Sequence, residues 1–434
     1  MKKLALLVVF VAVCSAVLAQ RTYRSQFTLY DTREDSVNRD HSKTLNYISY
    51  APQKMGDIGS IAMYGQKIVV PASWNDYNAY LHIENTFSAY DIAINGSVVI
   101  SAEDAATPVD YFISPYLRQG ENEVVLLLRP SNCPELSEGT AKSRLAQFSG
   151  CYIFAQHRAS IFDYDAAIVQ REGKLHLELD IIAGNDFNVE ETISIGYDIY
   201  TPERKLVDYA VREFNVAAKS RDTLKVRIDL GAELRYLWSA AKPSLYRTTL
   251  YIKRGGKPFE YLPVRIGAGK TTFEDGNIFR NGKQIVIKDI AYNANQSRAQ
   301  SRKDILALKS KGYNTLRPDA PQPLWFYDLC DQLGVYVIEQ VAVNATAEPN
   351  NRAIGGTPSN NPQLVAQYLE RTKSMYYRTR NHPCIIAYSL AGKESGNGYC
   401  LYKTYQWLKS VEKNRPVICI SADGEWNTDF VSGL

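Results

Sequence analysis

The sequence predicts a multidomain β plus α/β protein. A jelly-roll β-sandwich comes first, then an immunoglobulin-like β-sandwich, then an incomplete (β/α) barrel of the TIM type with five to six strands. Three observations predict this. Short alternating strands begin near Ile68 and return through an Asn-Gly turn. A second series of strands, spaced roughly 10–15 residues apart, runs from Ile161 to Ile252. After Gly267 apolar runs alternate with helical segments, the pattern of a parallel sheet. A chain of 434 residues is too long for one ordinary domain.

The elements follow in order. Residues 1–19 read as a signal peptide: Lys2 and Lys3 form the basic end, Leu4–Val13 the apolar run, and Val17-Leu18-Ala19 the small-residue cleavage site before Gln20. The apolar run is too short for a stable anchor, so the mature protein is expected to be exported, to the periplasm or beyond. Residues 20–157 form the first domain, opening with a polar, extended lead-in. Tyr80–Glu84 alternates, and Tyr90–Ile94 enters Asn95-Gly96, a strong short hairpin signal, before Val98–Ile100 returns. Tyr111–Leu117 and Glu123–Leu128 complete a jelly-roll pattern.

Residues 158–268 form the second domain, with six short strands from Ile161–Val169 to Tyr246–Ile252. Residues 269–434 form the third. Its apolar runs are Ile285–Ile290, Thr315–Arg317, Val335–Glu339, Ile385–Leu390 and Val417–Ser421, with Thr428–Ser432 a possible sixth strand. Arg302–Ser310, Pro323–Leu333, Pro362–Arg380 and Tyr399–Lys413 read as the intervening helices.

Composition excludes some functions. A net charge of +4 without a basic run is no nucleic-acid footprint. No later segment resembles a membrane span. The 30 tyrosines suit either sandwich cores or sugar stacking, and do not decide between them. Six cysteines follow residue 19. Cys133 and Cys151 flank a polar loop that an exported protein could close with a disulfide. The others sit in apolar or helical contexts, and no CxxC pair or His cluster suggests a metal. No cofactor is expected.

The richest motif is Arg378-Thr-Arg-Asn-His-Pro383, then an apolar strand and Glu394-Ser-Gly-Asn-Gly398. Side chains at the carboxyl ends of barrel strands point into the active site, and a carboxylate there is a candidate general acid or nucleophile. His382, in a turn, reads as structural.

Several motifs in this order resemble glycoside hydrolase family 2, the β-galactosidase and β-glucuronidase lineage. Ile94-Asn95-Gly96 resembles the family's first-domain hairpin. Leu237-Trp238 and Pro243-Ser-Leu-Tyr246 resemble its sandwich signature, and Phe279-Arg-Asn-Gly-Lys283 its entry into the barrel. Trp325–Asp331 with Leu333–Ile338 resembles its third βα unit, and Arg378–Pro383 with Glu394–Gly398 its fourth.

The resemblance implies retaining glycoside hydrolysis by two carboxylates roughly 5–5.5 Å apart. It places Glu394 at the acid/base position. It puts the nucleophile at the end of a seventh strand, and none is found in this chain. Family members carry Asn before the acid/base glutamate; here Lys393 stands there, and a lysine offers donors only. The family's His-rich segment after strand one is Ala291-Tyr-Asn-Ala-Asn295 here. Arg317, Glu339, Asn344, Lys393 and Trp426 are the candidate substrate-binding residues, with Arg317 expected to pair with Glu339.

The resulting expectation is an exported family 2-like protein of carbohydrate metabolism, catalytically impaired and at most carbohydrate-binding. The alternatives are an active β-galactosidase-like enzyme using Glu394, and a non-catalytic envelope adaptor. Expected partners are a β-glycoside or glycan, and a second copy or a complementing chain across an open barrel edge.

Overall fold

Asn95 and Gly96 turn the backbone with φ of 49° and 86°. Both angles are positive, as a two-residue hairpin between right-twisted strands requires. The turn joins Ala89–Ile94 to Ser97–Ala102. The Asn95 side chain fixes it in place, accepting from the Glu123 N–H at 3.1 Å and donating to Asn122 Oδ1 at 2.8 Å. The computed structural model describes residues 20–39, 46–84, 86, 88–104, 106–133, 136, 148–294 and 296–429. The expected signal peptide lies outside the described residues.

The chain forms two compact units. In the first, two five-stranded antiparallel sheets enclose one core. One sheet runs in the order Arg21–Thr22, Val109–Phe112, Tyr77–Ile83, Tyr152–His157, Tyr47–Ser49. The other runs Gln53–Ile58, Ile61–Val70, Gly120–Arg129, Ala89–Ile94, Ser97–Ala102. Alternation along each strand sends Leu81, Ile83, Ile92, Leu126 and Ile153 into the shared core. Part of the expected extended lead-in therefore forms strands, and Arg33–Asn38, in a segment that belongs to the second unit, forms a short helix capped by Thr32. Its Asp/Arg-rich polarity hid the pairing, because those strands lie at sheet edges with mostly exposed side chains.

The second unit contains a three-stranded sheet, Ala159–Arg171, Lys174–Asn185 and Ser220–Gly231. It shares a core with a four-stranded sheet ordered Leu206–Val216, Glu191–Tyr200, Tyr246–Arg254, Lys257–Ile266. The last of these strands escaped the sequence reading, since Lys257, Pro258 and Pro263 break its alternation. A small antiparallel sheet, Thr271–Glu274, Asn277–Arg280 and Lys283–Gln284, leads onward.

Five parallel strands follow in sequential order: Asp289–Ala291, Thr315–Arg317, Tyr336–Gln340, Ile385–Ser389 and Val417–Ile418. Helices Arg298–Ser310, Leu324–Leu333, Val365–Thr379 and Tyr399–Val411 connect them. The third and fourth strands are fully buried, which is why they read as continuous apolar runs. The first strand is shorter than the apolar run Ile285–Ile290 suggests and starts at Asp289. Thr428 and Asp429 form no strand. Asp429 instead accepts from the Val417 N–H at 2.8 Å and from Lys409 Nζ at 2.9 Å. Residues 430–432 lie outside the described residues.

Trp238 joins the antiparallel layers to the amino ends of this sheet. It is fully buried, and its indole N–H donates to the Asp331 carbonyl at 2.9 Å. The Arg280 guanidinium lies over its ring at 5.1 Å and donates to the Trp238 carbonyl at 3.1 Å. No helix among the described residues is long and apolar enough to cross a membrane.

Candidate functional site

The two ends of the parallel sheet carry different residues. At the amino ends, His382 Nδ1 meets Asp331 Oδ2 at 2.6 Å, and the Cys384 N–H donates to Asp331 Oδ1 at 3.0 Å. Asn381 donates to Ser25 Oγ at 2.9 Å and accepts from the Ala166 N–H at 3.1 Å. Arg380 pairs with Asp163 at 2.8 Å. The Arg378–Pro383 motif is therefore a brace beneath strand four. Asp328, Asp331 and His382 converge closely enough to hold a cation. Their oxygens are already engaged, with Arg39 pairing to Asp328 at 2.7 Å.

The carboxyl ends form the mouth, where a barrel places its chemistry. Asn293 follows strand one and donates to Asp319, which follows strand two, at 2.5 Å. Gln322 donates to Asn293 Oδ1 at 3.2 Å and accepts from the Ala294 N–H at 2.7 Å. Gln340, the last residue of strand three, donates to the Asp319 carbonyl at 2.8 Å. Asn344 donates to that same carbonyl at 3.2 Å. The loop after strand four closes in through Gly392: a Cβ built there would lie 1.8 Å from Asn344 Oδ1, so a larger residue must push that amide aside. The mouth groups spend their hydrogen bonds on one another.

Of the residues singled out in the sequence, Asn344 joins this lattice. Arg317 does not pair with Glu339. It pairs with Asp289 on the neighbouring strand, because parallel register sets Arg317 beside Ala291 and brings Asp289 within reach. Glu339 faces away from the mouth, toward the helix Leu324–Leu333. It is fully buried and accepts from the Tyr327 hydroxyl at 2.6 Å. Its second oxygen has no hydrogen-bond partner among the described residues. Burial pushes its carboxyl up to about 8. Residue 340, one position on, supplies the mouth instead.

Glu394 lies in the loop after strand four, its side chain 73% exposed, with Lys393 Nζ 3.8 Å away and itself 70% exposed. The loop is held by its neighbours: Ser395 Oγ accepts from the Ala345 N–H at 3.0 Å, and the Gly392 N–H donates to the Val343 carbonyl at 2.8 Å. These anchors leave residues 393 and 394 at the outside of the turn. Trp426 is exposed on the rim beyond strand five, 5.2 Å from the Tyr402 ring.

Sequence reasoning missed Asn293, Gln322 and Gln340. A cluster of Asn, Gln and Asp just past three successive strand ends was the available signal.

A parallel sheet of alternating strands and helices, with polar residues gathered at its carboxyl ends, is the arrangement of the βα-barrel class. Residues 272–432 match the model of the glycosyl hydrolases family 2 TIM barrel domain. A β-galactosidase of Priestia megaterium is 25% identical over 389 residues, covering 85% of this chain and 37% of that protein. A β-galactosidase of Vibrio cholerae is 28% identical over 356 residues, covering 76% of this chain and 33% of that protein. The chain thus spans little more than a third of the curated relatives it matches. Among solved structures, a Bacteroides uniformis β-glucuronidase superposes with a TM-score of 0.69 at 16% identity, covering 92% of this chain and 52% of that one. A family 2 member from Bacteroides cellulosilyticus gives 0.67 at 18% identity, covering 92% and 57%. At these identities the structural likeness concerns the fold.

Proposed function

We propose that this is an exported, carbohydrate-binding member of the family whose catalytic step at Glu394 is impaired. The observation that carries the reading is the position of Glu394. A general acid must be held within hydrogen-bond reach of the oxygen it protonates. Glu394 instead has solvent over 73% of its side chain and an ammonium group 3.8 Å away. The mouth supports the same reading, because Asn293, Asp319, Gln340 and Asn344 hydrogen-bond to one another and to backbone.

We read the paired sheets of the first unit as a jelly roll and those between Ala159 and Ile266 as an immunoglobulin-like sandwich. Their shared cores and sheet orders support this. Export rests on the leader-like pattern of residues 1–19.

The test uses purified residues 20–434, wild type and Glu394→Gln, assayed for glycan binding and for turnover of aryl β-glycosides. Binding without Glu394-dependent turnover is expected. Turnover that disappears in Glu394→Gln overturns the reading and makes the chain a β-galactosidase-like hydrolase. Absence of glycan binding overturns the carbohydrate assignment.

A further inference from the structure

Trp426 is 55% exposed although tryptophan is among the side chains that gain most from burial. A tryptophan that merely caps a barrel core would be covered. Instead two tyrosines hold the ring while over half of the residue stays exposed. Tyr402 lies across it at 5.2 Å and 36°, and Tyr405 meets it edge-on at 5.9 Å and 81°.

Both tyrosines are themselves anchored. The Tyr405 hydroxyl donates to Asp429 at 2.8 Å. The Tyr402 hydroxyl donates to Glu425 Oε2 at 2.5 Å and accepts from Arg352 at 3.0 Å. Arg352 also pairs with Glu425 Oε1 at 2.5 Å and donates to the Asn397 carbonyl at 3.0 Å. Asn397 and Asn427 exchange amide hydrogen bonds beneath, at 2.9 and 3.2 Å. The loops after strands three, four and five are thereby tied into one platform. Its upper surface carries the Trp426 ring and the partly exposed side chains of Arg352 (45%) and Glu425 (36%).

We propose that Trp426, with Arg352 and Glu425, forms a rim subsite that stacks one pyranose ring of a β-linked oligosaccharide, outside the filled mouth. This rests on the carbohydrate-binding reading above and gives it a location. The chemistry favours a sugar. A rigid, pre-placed aromatic face receives the C–H face of a pyranose at little entropic cost. A guanidinium that only donates, next to a carboxylate that only accepts, matches hydroxyl groups that do both. An extended peptide is held mainly through its backbone along a strand edge or groove, whereas a ring beside an ion pair is suited to a polyhydroxylated ring.

The test titrates the 434-residue chain with cellotetraose and β-1,4-galactotetraose by calorimetry, comparing Trp426→Ala, Trp426→Phe and Asn344→Ala. Trp426 is a surface residue, so its variants should unfold with the wild type. The expected result is a loss of at least about tenfold in affinity for Trp426→Ala and substantial retention in Trp426→Phe. Binding that survives Trp426→Ala overturns the rim subsite while leaving carbohydrate binding intact. Binding lost only in Asn344→Ala moves the sugar to the mouth and also overturns it. A wild-type chain that binds neither oligosaccharide overturns both readings.

Discussion

Tyr327 places its hydroxyl 2.6 Å from Glu339 and accepts from the Gln322 N–H at 2.8 Å, linking a buried acid to a residue of the barrel mouth. The Glu339 carboxyl, pushed up to about 8 by burial, is protonated across the acidic and neutral range in the folded protein. Its ordinary value is 4.5. A group whose folded value is raised contributes stability that is complete below the unfolded value and lost as pH rises through the folded one. Unfolding free energy should therefore fall between pH 4.5 and 8, by roughly a few kcal/mol. Glu339→Gln keeps the shape without the charge and should flatten that slope in urea titrations at pH 5 and 8. Equal slopes in the two proteins would show that Glu339 does not titrate in this window.

His82 should add a second slope, from the first unit. Burial pulls its imidazole down, but Asp110 at 2.7 Å and Glu84 at 2.8 Å outweigh that and raise it to about 9. Its contribution is complete below 6.5 and lost as pH rises through about 9. Asp110→Asn should cost about 3 kcal/mol at pH 6 and less at pH 9. Chemical denaturation at both pH values measures it; a cost that does not depend on pH would contradict the charged imidazole.

Arg317→Ala tests the reassigned ion pair. Arg317 and Asp289 are both about a quarter exposed, so the pair is worth only about 1 kcal/mol or less. A small drop in Tm with unchanged oligosaccharide affinity is expected. A large loss of affinity would return Arg317 to a role in substrate binding.

Gly392→Ala should distort the mouth, since its Cβ would meet Asn344 Oδ1 at 1.8 Å. A cost of about 1–3 kcal/mol is expected. Asn344→Ala should relieve part of it, so the double variant is more stable than the sum of the singles predicts. Strict additivity in thermal unfolding would mean the two residues do not meet.

The sequence carried the sheet-forming segments well, because alternation and continuous apolar runs report burial directly. Asn95-Gly96 fixed its hairpin, and Thr315–Arg317 appears as the strand its residues predict. The strand of Lys257–Ile266 was hidden by its prolines. The site was less legible. Glu339 and Gln340 are adjacent, and only the sheet's neighbours decide which of them faces the helix layer and which the mouth. The exposure of Glu394 follows from hydrogen bonds at Gly392 and Ser395 to another loop. Contacts among Asn293, Gln322 and Gln340 depend on three loops converging, and no local pattern encodes that.

Trp238, Asp331 and His382 have a consequence for how such a chain ages. The residues that hold the scaffold upright sit at its base, and the polar residues of the mouth sit at its summit. Erosion at the summit leaves the base untouched. The loops at the summit can thus change while the architecture, and the kinship that architecture records, persist. What remains heritable is a shaped and stable surface, open to reuse.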